Sequence, residues 1–118
     1  MNPVPFGVQR EELDDGILAF TVRGELDMST ASELEKSLED ALAQPGTSIM
    51  LDLSECEFID STGIALIVRA WQRLDEGGGR LVLCCVNHQV RRLLKITGVE
   101  SSIPMHEQRD VALAALRG

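Results

Sequence analysis

Two hydroxyls and a carboxylate stand together in the hexapeptide FIDSTG at residues 58–63, between an apolar segment and an amphipathic one. A short side-chain oxygen on Asp60 or Ser61 can accept a hydrogen bond from a first-turn amide, which predicts a helix N-cap. The free amides and the positive end of the helix dipole favour an anion, including a phosphoryl group carried on Ser61 or Thr62. Gly63 lacks a side chain, so another backbone or a nucleotide can approach closely.

The segments on either side of the hexapeptide are expected to hold it in place. The apolar run Ile49-Met50-Leu51, interrupted by Asp52 and extended by Leu53, predicts a strand that leads up to it. A glycine run at 77–79 is expected to end the helix that follows. Apolar residues recur along that helix with the three- and four-residue spacing of one face. They are Ile64, Ile67, Val68, Trp71 and Leu74.

Strand and helix patterns alternate along the remainder of the chain. The spacing Thr30-x-x-Glu33 predicts a capping box at the start of the first helix, which Pro45-Gly46 would stop. The other expected elements are an extended lead-in at 1–5, strands at 6–12 and 17–22 turning at Asp15-Gly16, a strand at 81–86, a helix at 90–96 closed by Gly98, an edge strand at 102–105 and a helix at 110–116.

These patterns predict an α/β fold, with residues 1–118 forming a single domain. An initial hairpin followed by repeated strand and helix units is typical of a mixed, mostly parallel sheet of four to five strands packed with about four helices. Loops at the carboxyl ends of such strands usually carry function. Two polar loops leave these ends, Gly24-Glu25-Leu26-Asp27 and Asp60-Ser61-Thr62-Gly63. We expect them to lie along the same edge of the domain.

Composition narrows the possible partners. The 118 residues carry a net charge of -8, which argues against nucleic acid and anionic lipid surfaces and favours a protein partner. The odd number of cysteines, with Cys84 and Cys85 adjacent in an apolar run and Cys56 distant, predicts reduced core thiols. Without a targeting signal or membrane-length apolar run, we expect a soluble, cytoplasmic protein. An interface would use aliphatic side chains with Phe6, Phe20, Phe58 and Trp71.

The two loops and the order of elements resemble the STAS domain, and specifically the stand-alone anti-sigma factor antagonists of bacteria. The resemblance covers nearly the whole chain. The Asp-Ser-Thr-Gly tetrapeptide is fairly specific when it follows an apolar strand, although it would be weak alone. The matching segments are Gly24-Glu25-Leu26-Asp27, Leu51-Asp52-Leu53-Ser54, Phe58-Ile59-Asp60-Ser61-Thr62-Gly63, Gly78-Gly79, Val90-Arg91-Arg92-Leu93-Leu94 and Thr97-Gly98.

The resemblance implies a partner-switching regulator rather than an enzyme. In this family the unmodified antagonist binds an anti-sigma factor that is also a serine kinase and frees the sigma factor; the kinase then phosphorylates the antagonist and is released. Carried onto this sequence, the phosphoacceptor is Ser61, with Thr62 as the alternative, and a phosphatase would act on phospho-Ser61. No catalytic residue, metal or cofactor is implied. The implied partner-binding residues are Glu25, Asp27, Asp60, Ser61, Thr62 and Gly63.

The residues alone leave other interpretations open. Ser61 and Thr62 are of the types that commonly cap helices, and the loop at 24–27 could simply be solvated. A serine hydrolase would use Ser61 as nucleophile with His88 or His106 as base, but the chain lacks a Gly-x-Ser-x-Gly elbow. A STAS subunit of a lipid ABC transporter or of a stress-signalling scaffold would keep the fold and change the partner.

Overall fold

The computed structural model describes residues 4–13, 16–84 and 86–118. Residues 1–3 of the lead-in, Asp15 of the expected turn and Cys85 lie outside this description. None of the described helices is both long enough and apolar enough to cross a bilayer. The described elements are β1 (Gly7–Glu12), β2 (Ile17–Leu26), α1 (Ala31–Leu42), β3 (Ser48–Ile59), α2 (Ser61–Glu76), β4 (Arg80–Cys84), α3 (His88–Ile96), a 3₁₀ helix (Val99–Ser101), β5 (Met105–His106) and α4 (Arg109–Arg117).

The strands join one mixed sheet in the order β1-β2-β3-β4-β5. β1 pairs with β2 antiparallel, and the three pairs that follow are parallel. A short turn can join antiparallel strands, whereas each parallel pair needs a crossover, which α1, α2 and α3 supply in turn. The expected fold class is therefore confirmed. The edge strand expected at 102–105 begins only at Met105, because Pro104 has no amide hydrogen to donate to a ladder.

The sheet separates two apolar cores. Successive side chains of a strand point to opposite faces of the sheet. Leu51 and Leu53 of β3 accordingly belong to a large core that also contains buried residues of α1, α2 and α3. Met50 belongs to a smaller core with Ala112 of α4. Three helices thus cover one face of the sheet, and α4 covers the other.

The buried stripe of α2 differs from the predicted one. Ile64, Val68 and Trp71 are only half-buried and lie at its border. The prediction followed the largest side chains, whereas small residues let the helix approach the sheet and so set which face is covered. The buried residues of α2 are Gly63, Leu66, Ile67, Ala70 and Leu74.

The strand expected at 81–86 is also shorter than predicted, because it ends at Cys84. Val86 is half-buried and lies beyond the strand. The side chain of Asn87 accepts a hydrogen bond from the amide of Val90 at 2.9 Å and caps α3. The chain must leave the sheet early in order to start this helix.

A buried carboxylate ties α4 to the sheet. Asp52 of β3 is 3% exposed and is the one buried charged residue among those described. Its Oδ1 accepts a hydrogen bond from the amide of Ser54 at 2.8 Å, and its Oδ2 accepts one from Arg109 Nη1 at 3.0 Å. Arg109 Nη2 also donates to Glu11 of β1 at 3.1 Å. The charge that interrupts the apolar strand therefore anchors the start of α4.

Replacing Arg109 with alanine should lower the free energy of unfolding by about 2–3 kcal/mol, because Asp52 would keep a buried charge without its cation. Arg69→Ala is the matched control, since Arg69 pairs with Glu35 at 3.6 Å where both side chains are more than half exposed. That variant should lose less than about 1 kcal/mol. Urea unfolding measures both. Equal losses would contradict an anchoring role for the buried pair.

Candidate functional site

Asp60 joins the two loops that were expected to share an edge of the sheet. It is the N-cap of α2, and its Oδ1 accepts a hydrogen bond from the amide of Gly63 at 3.1 Å. Its Oδ2 accepts one from the amide of Met28, also at 3.1 Å. The Asp60 amide donates to the carbonyl of Leu26 at 3.2 Å. The structure confirms that both segments lie at the same edge and shows that one carboxylate connects them.

The first of these segments is mostly strand, which corrects the prediction of a loop at Gly24-Glu25-Leu26-Asp27. β2 continues to Leu26 because it keeps pairing with β3, where Glu25 is opposite Phe58 and Leu26 is opposite Ile59. Two register shifts place extra residues in β3 and extend the pairing. Leu26 is fully buried, and Glu25 is exposed. Only Asp27 and the residues after it leave the sheet.

Asp27 organises the turn into α1. Its Oδ1 accepts hydrogen bonds from the hydroxyl of Ser29 at 2.7 Å and from the Ser29 amide at 2.9 Å. These bonds, with a further contribution from Thr30, hold the pKa of Asp27 below its ordinary value. The carboxylate is therefore ionised at neutral pH and keeps the turn in one conformation.

Thr30 does not form the predicted capping box. Although Thr30 occupies the N-cap position of α1, its side chain makes no capping bond to the helix. The hydroxyl instead donates to the carbonyl of Glu25 at 2.7 Å and accepts from the amide of Asp27 at 3.0 Å. The backbone carbonyl of Thr30 accepts a hydrogen bond from the amide of Glu33 at 2.9 Å. The side chain of Thr30 thus stabilises the turn at Asp27 rather than the end of the helix.

Ser61 and Thr62 form the first turn of α2, and both are exposed. Asp60 satisfies the next two amides, because its side chain binds Gly63 and its carbonyl accepts from Ile64 at 3.0 Å. Within residues 4–13, 16–84 and 86–118, the amides of Ser61 and Thr62 have no acceptor. Two outward donors at the positive end of a 16-residue helix suit an anion.

Gly63 is pressed against the chain itself. A Cβ atom there would lie 2.8 Å from each of three atoms, namely Leu26 Cγ, the Leu26 carbonyl oxygen and Ile59 Cγ1. The missing side chain therefore lets the ends of β2 and β3 pack closely against α2, and it does not leave space for a nucleotide. Both neighbours are fully buried, so they have little room to move.

Two apolar side chains flank the Asp60 cap in solvent. Met28, whose amide binds Asp60, is 80% exposed, and Phe58 at the end of β3 is 45% exposed. Sequence reasoning included Phe58 among possible interface residues but overlooked Met28, whose only signal was an apolar residue within a polar loop. Phe20, also considered for an interface, is fully buried. An exposed apolar pair beside the two hydroxyls suits protein binding.

The cysteine and histidine predictions have different outcomes. Cys56 and Cys84 are fully buried, as core thiols were expected to be. Burial is the main cause that raises the pKa of the Cys56 thiol, which donates to the carbonyl of Phe58 at 3.3 Å. In the described part of the chain, no hydrogen bond joins Ser61 to His88 or His106. Among these residues, Ser61 therefore lacks the hydrogen bond to a base that a nucleophilic serine requires.

The match to a family model covers most of the chain. A model of the STAS domain matches residues 10–112. The chain belongs to the STAS domain family. The two motif segments that Asp60 connects thus lie at the carboxyl ends of β2 and β3 in a STAS sheet.

Sequence relatives and solved structures are similar to this chain over most of its length. An anti-sigma-B factor antagonist of Staphylococcus aureus is 34% identical over 91 residues, which are 76% of this chain and 83% of that protein. A crystal structure of an anti-sigma factor antagonist from Mycobacterium paratuberculosis has a TM-score of 0.80 at 30% identity, covering 98% of this chain and 95% of that one.

The antagonist SpoIIAA has been solved in two forms. Its unphosphorylated form has a TM-score of 0.81 at 22% identity, covering 95% of this chain and 97% of that one. The phosphorylated form, from Bacillus, has a TM-score of 0.73 at 20% identity and covers 92% of this chain and 98% of that one. Both forms have the fold of this STAS domain.

Substituting alanine for Gly63 should lower the free energy of unfolding by about 1–3 kcal/mol, because the added methyl group would overlap buried atoms of both strand ends. Gly77→Ala is the control. Gly77 is the C-cap of the same helix, and a Cβ atom there would have no contact closer than 3.6 Å. Its stability should change by less than about 1 kcal/mol. Thermal or urea unfolding compares the two. A Gly63→Ala protein as stable as the control would refute the close packing.

Proposed function

We propose that this STAS protein is an anti-sigma factor antagonist that works by partner switching. The unmodified protein binds an anti-sigma factor with serine kinase activity and thereby frees a sigma factor. Phosphorylation of Ser61 then ends the binding. The observation that carries this proposal is the position of Ser61, exposed at the start of α2 and next to the Asp60 carboxylate that joins both loops.

The partner would bind across this edge of the sheet. Met28 and Phe58 offer exposed apolar area, which is the component that gains most from burial. The carboxylates of Glu25 and Asp27 would face basic groups of the anti-sigma factor. Thr62 would present its side chain and backbone close to the acceptor, and Gly63 would contribute by holding α2 against the strand ends. Ser61 would lie within the contact, where a change in its charge has the largest effect.

A phosphate would have opposite consequences for binding and for folding. It adds about -1.5 to -2 charges beside Asp60, on a chain whose net charge is already -8. An interface that removes water from these charges would be strongly disfavoured. The free amides of Ser61 and Thr62 would stabilise the same phosphate within the isolated protein. Phosphorylation should therefore change the partner while leaving the fold intact, a view that the two solved forms of SpoIIAA support.

The remaining features of the proposal follow from this role. Residues 1–118 would act as one unit in the cytoplasm, with no catalytic residue, cofactor, nucleic acid or membrane insertion. A phosphatase acting on phospho-Ser61 would restore binding. The transporter and scaffold alternatives have less support, because the Staphylococcus aureus relative, at 34% identity, is an antagonist by name. The hydrolase alternative requires a base, and neither histidine is hydrogen-bonded to Ser61 in the described part of the chain.

The phosphoacceptor can be assigned by incubating the protein with its anti-sigma factor kinase and ATP, followed by mass spectrometry. Ser61→Ala should abolish phosphorylation, because it removes the acceptor hydroxyl, whereas Thr62→Ala should retain it. Ser61→Asp should weaken binding of the kinase at least about tenfold, or 1.4 kcal/mol, with little change in unfolding temperature. Phosphate that persists in Ser61→Ala would move the site to Thr62. Full binding by Ser61→Asp would refute the charge switch.

The apolar pair can be tested in the same complex. Met28→Ala and Phe58→Ala should each weaken binding of the anti-sigma factor by about 1–2 kcal/mol, because each loses apolar area that the partner would cover. Val111→Ala on α4 is the matched control, since Val111 is 47% exposed and lies on a helix outside both motif segments. Isothermal titration calorimetry measures the three affinities. Losses no larger than that of the control would exclude both residues from the interface.

A further inference from the structure

Helix α3 concentrates positive charge on an acidic protein. Its nine residues carry Arg91, Arg92 and Lys95 and no acidic side chain. The net charge of -8 is thus the sum of +3 on this helix and -11 on the rest of the chain. A local patch of this sign attracts acidic groups that the remaining surface would repel.

Most of this charge is not used within the fold. Arg91 is neutralised internally, because its Nε lies 3.5 Å from Glu100 and its Nη1 lies 3.3 Å from Glu107. Over the ranges that the structure describes, Arg92 and Lys95 form no ion pair and no side-chain hydrogen bond. Two cations are therefore free to bind an external carboxylate.

Apolar area accompanies the two cations. Val90 and Leu94 fix the buried side of α3, which turns Ile96 outward with 72% of its surface exposed. Leu93 at the margin is 37% exposed. A concave surface of about 430 Å³ lies along the helix and is lined by His88, Arg91, Arg92 and Lys95. The exposed side thus combines a shallow hollow, free cations and an isoleucine that folding leaves in water.

The start of α3 lies close to the carboxyl end of β3, which leads into Asp60. Asn87, the N-cap of α3, donates its side-chain amide to the carbonyl of Cys56 at 2.5 Å. Cys56 precedes Phe58 by two residues in the same strand. A nine-residue helix extends about 14 Å. Because α2 and α3 cover the same face of the sheet, a partner seated on Ser61 at the start of α2 can reach along α3 within one continuous interface, which typically covers about 800 Å² on each protein.

We propose that the exposed side of α3 is a second contact for the anti-sigma factor, occupied by a segment of it that presents acidic side chains around an apolar one. The carboxylates bind Arg92 and Lys95, and the apolar side chain packs on Ile96. This contact rests on the proposed function and adds a surface that lies outside both motif loops. The charge of -11 on the rest of the chain makes nucleic acid or an anionic membrane a poorer occupant.

The test is the affinity of the purified cognate anti-sigma factor for a double charge reversal, Arg92→Glu with Lys95→Glu, measured by calorimetry at low and moderate salt. The matched control is Lys36→Glu with Arg73→Glu on α1 and α2. Lys36 and Arg73 are also exposed and without ion pairs among the described residues. Both double variants change the net charge by the same amount, so only the position of the charges differs between them.

The α3 reversal should weaken binding about tenfold or more relative to the control and reduce its dependence on salt. Ile96→Ala should weaken it about threefold or more relative to Val111→Ala. Unfolding temperatures of all variants check that the fold is kept. Affinities equal to those of the controls would overturn the second contact.

Ser61→Asp, measured alongside, separates this inference from the proposed function. Loss of binding in Ser61→Asp with no effect of the α3 reversal would leave the switch standing and remove the α3 contact. Full binding by Ser61→Asp, together with weak binding by the α3 reversal, would support the α3 contact and refute the switch. A wild-type protein that binds none of the organism's anti-sigma factors would overturn both. Binding of a single-stranded oligonucleotide or of phosphatidylglycerol vesicles that the α3 reversal abolishes would also overturn the assignment, because the occupant would be another polyanion.

Discussion

The hydrogen bonds of Asp60 are the interaction on which the geometry of the site depends. One carboxylate oxygen caps α2 and the other binds the amide of Met28. The start of α2 and the turn that precedes α1 are therefore held together. Gly63 makes this union possible, because any larger residue would keep α2 away from the strand ends. The hydroxyl of Ser61 is consequently presented from a closely packed helix start rather than from a loop.

Under the proposed function, the same local structure would give a phosphate on Ser61 different effects on stability and on binding. A helix start with unoccupied amides is a favourable place for an anion in water. A surface with the carboxyl groups of Asp27 and Asp60 and with exposed apolar groups is a poor place to bury that anion against a second protein. The proposed switch would therefore require no rearrangement of the core, because the penalty would arise only when a partner excludes solvent.

The sequence predicted the fold class, the helix start at Asp60 and the shared edge, because periodicity, capping residues and connection rules are local or topological signals. It failed where tertiary contacts decided the outcome. Pairing with β3 carried β2 through Glu25 and Leu26, and small Gly63 and Ala70 rotated the buried stripe of α2. The exposure of Met28 and Ile96 was not predictable either, since an apolar residue does not reveal whether folding will cover it.

The last turn of α4 lies at the amino ends of the parallel strands, and the Asp60 cap lies at their carboxyl ends. Arg80, the first residue of β4, donates to the carbonyl oxygens of Ala115 and Leu116 at 3.0 and 2.8 Å, which fixes the last turn beside the amino ends of the parallel strands. A linker, fluorophore or sensor surface attached beyond Leu116 would therefore be separated from Ser61 by the length of the sheet. The chain is suited to oriented immobilisation, with its candidate recognition edge facing solution.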